Sequence, residues 1–193
     1  MIVMNQNILD FQSDERLKKI PFFKYHPNPF ITETFTELSE PEECECCGKD
    51  TLIKYNGGIY AIEEVNCLCP KCISDGSAAK KFDGEFQNEY SVDKITDPDG
   101  RKIDELSHRT PGYRGIQEEY WRAHCNDFCA FLGYVGAEEL HELGIYDKAI
   151  DDDIWTEEQK ENLLKHMTNN GWVQGYLFQC LHCGRYLLWA DFD

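Results

Sequence analysis

The chain has 193 residues, enough for one domain or two small lobes with cores of their own. Its 36 Asp and Glu against 19 Lys and Arg leave a formal charge of −17, which repels phosphate backbones and anionic bilayers; this argues against direct nucleic-acid or membrane ligands and leaves two readings, an acidic surface that keeps the protein soluble or one that meets a basic protein partner. Residues 1–20 lack the apolar core of a signal peptide, and nowhere do about 18 apolar residues run together, so a reducing cytoplasm is the expected compartment and the ten cysteines read as metal ligands rather than disulfides.

In chain order, residues 1–20 read as a short, partly helical leader. Pro21, Pro27 and Pro29 then hold the segment around Tyr25 and His26 extended. Residues 21–96 form the expected N-terminal zinc-knuckle lobe. Within it Thr51–Tyr55 reads as a strand, Asn56-Gly57-Gly58 as its turn and Ile59–Ile62 as the returning strand, a hairpin framed by cysteine pairs. Asp97-Pro98-Asp99-Gly100 and Pro111-Gly112 punctuate an expected linker, 97–112. Residues 113–193 read as a lobe that is helical to about residue 169 and closed by a C-terminal knuckle hairpin. Its clearest helix opens at Thr156 with Gln159 completing a capping box, buries Leu163, Leu164 and Met167, and ends at Asn169-Asn170-Gly171. Trp172–Phe178 and Arg185–Trp189 follow as strands. The fold class expected is α+β: two small zinc-stabilised lobes with knuckle or ribbon-like hairpins and several short helices.

The cysteines carry the chemistry. Tetrahedral zinc takes four ligands, and a Cys-x-x-Cys turn brings two sulfurs to one ion with little backbone change. Cys44 and Cys47 with Cys69 and Cys72 make such a set across 21 intervening residues. Gly48, just past the second ligand, suits the positive φ that turns backbone N–H groups toward sulfur. A second set is Cys125 and Cys129, four apart and so neighbours on one helical face, with Cys180 and Cys183. Against it stands the reading of Cys125 and Cys129 as small core residues beside Trp121, Phe128 and Phe131, and His124 or His182 are alternative ligands. Cys46 and Cys67 are by default spare thiols, although each lies two residues from a proposed ligand and could replace it, and the four pairs can be combined in three ways, of which the nearest-neighbour choice is adopted. The runs Cys44-Glu45-Cys46-Cys47-Gly48-Lys49 and Cys180-Leu181-His182-Cys183-Gly184-Arg185 share one pattern, which suggests one local geometry used twice.

Reaction motifs are scarce. Four thiolates close a zinc shell and quench its Lewis acidity. The deaminase signature fails for want of His-x-Glu, and the metalloprotease signature fails because His141-Glu142 is followed by Ile145 where a second histidine is required. Neither phosphate-binding glycine loop occurs. No catalytic or organic-cofactor residue is assigned from sequence.

Six blocks in order carry a family resemblance: Tyr25-His26-Pro27-x-Pro29, Cys44-x-Cys46-Cys47-Gly48, Cys69-Pro70-x-Cys72-Ile73-x-Asp75-Gly76-Ser77-Ala78, Thr110-Pro111-Gly112-Tyr113, Trp121-x-x-His124-Cys125-x-Asp127-x-Cys129-Ala130-Phe131-Leu132-Gly133, and Cys180-Leu181-His182-Cys183-Gly184. From about residue 21 onward the chain resembles the CbrC family of bacterial proteins. The resemblance implies a part in tolerance of a DNA-cleaving colicin and supplies no reaction. The resulting expectation is a protein with two zinc ions that acts in toxin tolerance or bacteriocin immunity. It would bind a basic, nuclease-type protein through acids such as Glu37, Glu40, Glu42, Glu43 and Glu45, and Asp147, Asp151, Asp152, Asp153, Glu157 and Glu158. The rivals are a metalloenzyme using His124, Cys125 and Asp127, and a regulatory zinc-ribbon adaptor.

Overall fold

The computed structural model describes residues 14–117, 119–150 and 154–192. Asp151, Asp152 and Asp153, and the first thirteen residues of the expected leader, lie outside them. The fold is mixed α+β with small sheets and short helices. The chain divides into two compact units, residues 1–90 with 97–114, and residues 91–96 with 115–193.

In the first unit β1 (Phe35–Glu43) pairs antiparallel with β2 (Asp50–Tyr55), with an irregularity between Glu37 and Glu42. This replaces the expected hairpin. The partner of the 51–55 strand precedes it in sequence, and beyond the glycine turn only Tyr60 pairs, in an isolated bridge to Glu85. Only Phe35 of β1 is buried, so its acidic sequence shows no alternation. Two short helices follow, α1 (Pro70–Ser74), opened by Pro70 behind Cys69, and α2 (Ser77–Phe82). The segment expected as a linker holds helix α3 (Arg101–Arg109), and its turn signal turns out to be a helix start: the Asp97 Oδ2 accepts from the N–H groups of Lys102 and Ile103 at 2.9 Å.

An aromatic core joins these elements. Phe35 meets Tyr55 edge-on at 5.9 Å and Tyr55 meets Phe86 at 5.5 Å, with Ile73 fully buried beside them. The proline-rich strap before β1 is pinned by His26. Its Nδ1 lies 2.7 Å from the Pro111 carbonyl, which only accepts, so Nδ1 carries the proton and Nε2, 2.8 Å from the Thr32 hydroxyl, is the acceptor. The ring is fully buried, and that burial pushes its pKa down to about 4.

In the second unit β3 (Ala123–His124) and β4 (Asp127–Phe128) form a minimal hairpin, and β5 (Ala130–Val135), β6 (Val173–Gln179) and β7 (Tyr186–Phe192) form a sheet ordered β5-β6-β7. The stretch expected to be helical up to residue 169 therefore begins as strands. Helices α4 (Ala137–Glu142), α5 (Tyr146–Ile150) and α6 (Glu157–His166) come after β5. At α6 the Gln159 N–H donates to the Thr156 Oγ1 at 3.2 Å, and the Gln159 side chain returns to the Thr156 N–H at 2.8 Å, the reciprocal box implied by the sequence. Met167, already extended, ends α6 before the Asn-Asn-Gly turn. Trp121, Phe131 and Phe178 centre this unit's core.

Candidate metal centres

The first centre is assembled by two local devices. The turn from Cys44 to Lys49 is closed by the Cys44 N–H donating to the Lys49 carbonyl at 2.9 Å and the Gly48 N–H donating to the Cys44 carbonyl at 2.8 Å, with Gly48 at φ +67°. Opposite it, Cys69 precedes α1 and Cys72 lies in its first turn. The sulfurs of Cys44, Cys47, Cys69 and Cys72 all fall within 4.8 Å of one another. Zinc at about 2.3 Å from each sulfur of a tetrahedron sets sulfurs about 3.8 Å apart. Cys44 and Cys72 stand 4.0 Å apart, so little movement separates the observed set from a bound one. Cys44 and Cys72 are buried, Cys69 partly so and Cys47 exposed.

The second centre repeats the first device. Its Cys180 N–H donates to the Arg185 carbonyl at 2.8 Å and its Gly184 N–H to the Cys180 carbonyl at 3.0 Å, with Gly184 at φ +72°. The six-residue echo in the sequence is thus one turn geometry used twice. Across from it the β3–β4 hairpin brings up two further candidate ligands, His124 and Cys125. Cys125 and Asn126 sit at φ +52° and +57°, the left-handed pair of a two-residue hairpin turn. His124, Cys125, Cys180 and Cys183 bring one ligand atom each within 4.8 Å of the others. The His124 Nδ1 lies 3.3 Å from both the Cys125 and Cys183 sulfurs.

Here the structure differs from the expected set, because Cys129 is not among these four. A hairpin turn at 125–126, rather than a helix, removes the four-residue coincidence that placed Cys125 and Cys129 on one face. Cys129 lies fully buried beyond the turn, its carbonyl accepting from the Trp121 indole N–H at 2.9 Å, and burial pushes its thiol well above the usual range. His124 takes the fourth place. The signal for it is the Cys125-Asn126-Asp127 run, since Asn is at home in the left-handed conformation that a tight turn needs. Asp127, almost fully buried, receives the ring of His182 at 3.0 Å and so steadies the knuckle that bears Cys180 and Cys183.

With both centres described, the sequence comparisons can be set beside them. The profile of the uncharacterised protein family UPF0167 matches residues 20–192. The chain belongs to this family. It is 37% identical over 180 residues to UPF0167 protein Mb2317 of Mycobacterium bovis and likewise to UPF0167 protein MT2352 of Mycobacterium tuberculosis, alignments that cover 91% of this chain and 95% of each relative. UPF0167 protein PA1536 of Pseudomonas aeruginosa is 36% identical over 171 residues, covering 86% of this chain and 93% of that one. No solved structure matches. The family found is UPF0167, and the CbrC name remains a resemblance.

In this UPF0167 chain the thiols of each centre compete for protons. Burial raises Cys44, but N–H groups of Cys47, Cys69 and Cys46 outweigh it and leave its pKa lowered; burial raises Cys69 and, strongly, Cys72. At the second centre a hydrogen bond with Cys183 pushes Cys125 up to about 11, while the Arg185 N–H lowers Cys183. A divalent cation, if bound, would supply the positive charge that favours the thiolate form of its sulfur ligands. Cys46 and Cys67 stand outside both clusters. The Cys46 thiol donates to the Ser77 hydroxyl at 3.6 Å, and Cys67 is buried with its pKa pushed up to about 11 by that burial, then by Glu42. Both centres are suited to a metal ion by geometry.

No helix among the described residues is long and apolar enough to cross a membrane.

Proposed function

We propose that this chain is a zinc-stabilised interaction protein, one zinc closing each unit, whose acidic surface binds a basic protein of the nuclease-toxin kind. The observation that carries the metal reading is the convergence of two four-ligand sets, each within 4.8 Å, on backbone turns of the same geometry. Sulfur-rich donors favour zinc over magnesium or calcium, which take oxygen. Four protein ligands at each centre fill a tetrahedral shell and leave no position for substrate, which favours a structural role over the metalloenzyme reading around His124, Cys125 and Asp127.

The partner reading rests on charge and on the CbrC resemblance. A four-thiolate zinc nets −2 and a three-thiolate, one-imidazole zinc nets −1, which carries the formal −17 to −20. A field of this sign speeds encounter with a cationic surface, and a nuclease must carry one to hold its phosphate backbone. The test is surface binding of the zinc-loaded chain to a basic DNase domain across a salt series. Association that slows steeply from low to high salt, with no retention of bare DNA, supports the reading. Salt-independent association or tight DNA binding removes it.

A further inference from the structure

The two centres differ in how they meet solvent, and the difference lies in their sulfurs. At the first, Cys47 alone is exposed, and its fellow ligands Cys44 and Cys72 are buried in the aromatic core. At the second, Cys125 and Cys183 are both exposed, and both lie 3.3 Å from the same atom, the His124 Nδ1. Two accessible sulfurs are thus held side by side. Cys125 also keeps φ at +52°, a left-handed conformation that a non-glycine residue holds where the surroundings impose it.

Resting on the zinc reading above, we infer that Cys125 and Cys183 form a thiol-oxidation site, at which a peroxide-class oxidant joins their sulfurs and frees the metal of the second centre while the first keeps its own. The exposed Cys125 thiolate attacks one peroxide oxygen, breaking the O–O bond to give a sulfenic acid. The hydroxide leaves as water after taking a proton from solvent. The Cys183 thiolate then attacks the sulfenic sulfur, and the second oxygen leaves as water after taking a second proton. Two thiolates have given two electrons to one peroxide. The disulfide would leave only Cys180 and His124 of the four residues able to hold a zinc ion there, and an ion so held would be released to solvent.

Two effects compete over which centre reacts. Four thiolates carry more negative charge than three, which favours attack at the first centre through its exposed Cys47; but Cys69 there is half-buried and Cys44 and Cys72 are buried, so no second exposed sulfur stands by as resolving partner. Access decides, because oxidation follows exposed thiolate. The new disulfide would restore the crosslink between the β3–β4 turn and the knuckle at Cys180–Cys183. The turn is held besides by Asn126, whose side chain accepts from the Thr96 N–H at 2.7 Å and donates to the Thr96 carbonyl at 3.1 Å.

The experiment treats the zinc-loaded full chain with hydrogen peroxide in the presence of a chromogenic zinc chelator and maps disulfides by peptide mass spectrometry. Release of about half of the bound zinc, a mass loss of about 2 Da and a peptide pair joining Cys125 to Cys183 are expected. Release of both zincs together, earlier release from the first centre, or linkage between any other cysteines overturns the inference. Cys125→Ser should abolish the 2-Da loss, whereas Cys129→Ala should leave it intact. A chain isolated from zinc-replete cells without zinc refutes the metal reading separately. In that chain the peptide map still decides, since any pairing other than Cys125 with Cys183 counts against the oxidation site.

Discussion

Acid should weaken the first unit through His26. Its ring is fully buried, with Nδ1 donating to the Pro111 carbonyl and Nε2 facing the Thr32 hydroxyl, so a second proton would place a positive charge in a buried site. Burial places the folded pKa at about 4, against about 6.5 for an unfolded histidine. The unfolded chain therefore binds a proton more readily than the native one. Stability is full above the unfolded value and is lost as pH falls from about 6.5 toward 4. The whole gap corresponds to about 3 kcal/mol, of which about 2 kcal/mol is gone by pH 5. Proton NMR of the His26 Cε1–H across this range, with denaturant melts at pH 7 and 5 in the presence of zinc, measures both halves of the argument. A His26 that titrates near 6.5 in the folded protein, or a melt whose free energy does not fall by pH 5, refutes the reasoning.

Substitution separates ligands from core at the second centre: His124→Ala should lose about one zinc per chain, and Cys129→Ala should keep both while costing about 1 kcal/mol of packing, read by metal analysis and chemical melts. Gly48→Ala and Gly184→Ala each force a side chain into left-handed backbone at +67° and +72° and should cost about 1 kcal/mol, with weaker zinc retention in a chelator titration. Thr156→Ala removes the hydroxyl that receives the Gln159 N–H and should cost about 1 kcal/mol in the melting of the second unit, while the first centre holds its metal.

The features legible in the sequence are those made within a few residues. The Cys44–Lys49 and Cys180–Arg185 turns, the Thr156–Gln159 box and the strands read at 172–178 and 185–189, found at 173–179 and 186–192, follow from local spacing, capping and strand-forming composition. Where the partner lies farther away, local signals mislead. The strand at 50–55 pairs backward with Phe35–Glu43 because that segment brings Phe35 to Tyr55, a contact no turn residue announces. Asn56-Gly57-Gly58 has the composition of a hairpin turn and is followed by no strand ladder among the described residues. The spacing of Cys125 and Cys129 fits a helix as well as it fits a ligand and a core residue on either side of a strand. Only the left-handed backbone at Cys125 and Asn126 distinguishes them, and cysteine does not advertise that conformation. Asp97-Pro98-Asp99-Gly100 is a turn whose further role, the start of α3, depends on the Asp97 side chain reaching the N–H groups of Lys102 and Ile103.

The most direct test of the account is zinc X-ray absorption on the purified chain, combined with elemental analysis. Two closed centres of the observed composition predict about two zinc ions per chain, with on average about 3.5 sulfurs and 0.5 nitrogen per zinc. One zinc per chain, four sulfurs at every zinc, or an oxygen ligand from an open coordination position would contradict it.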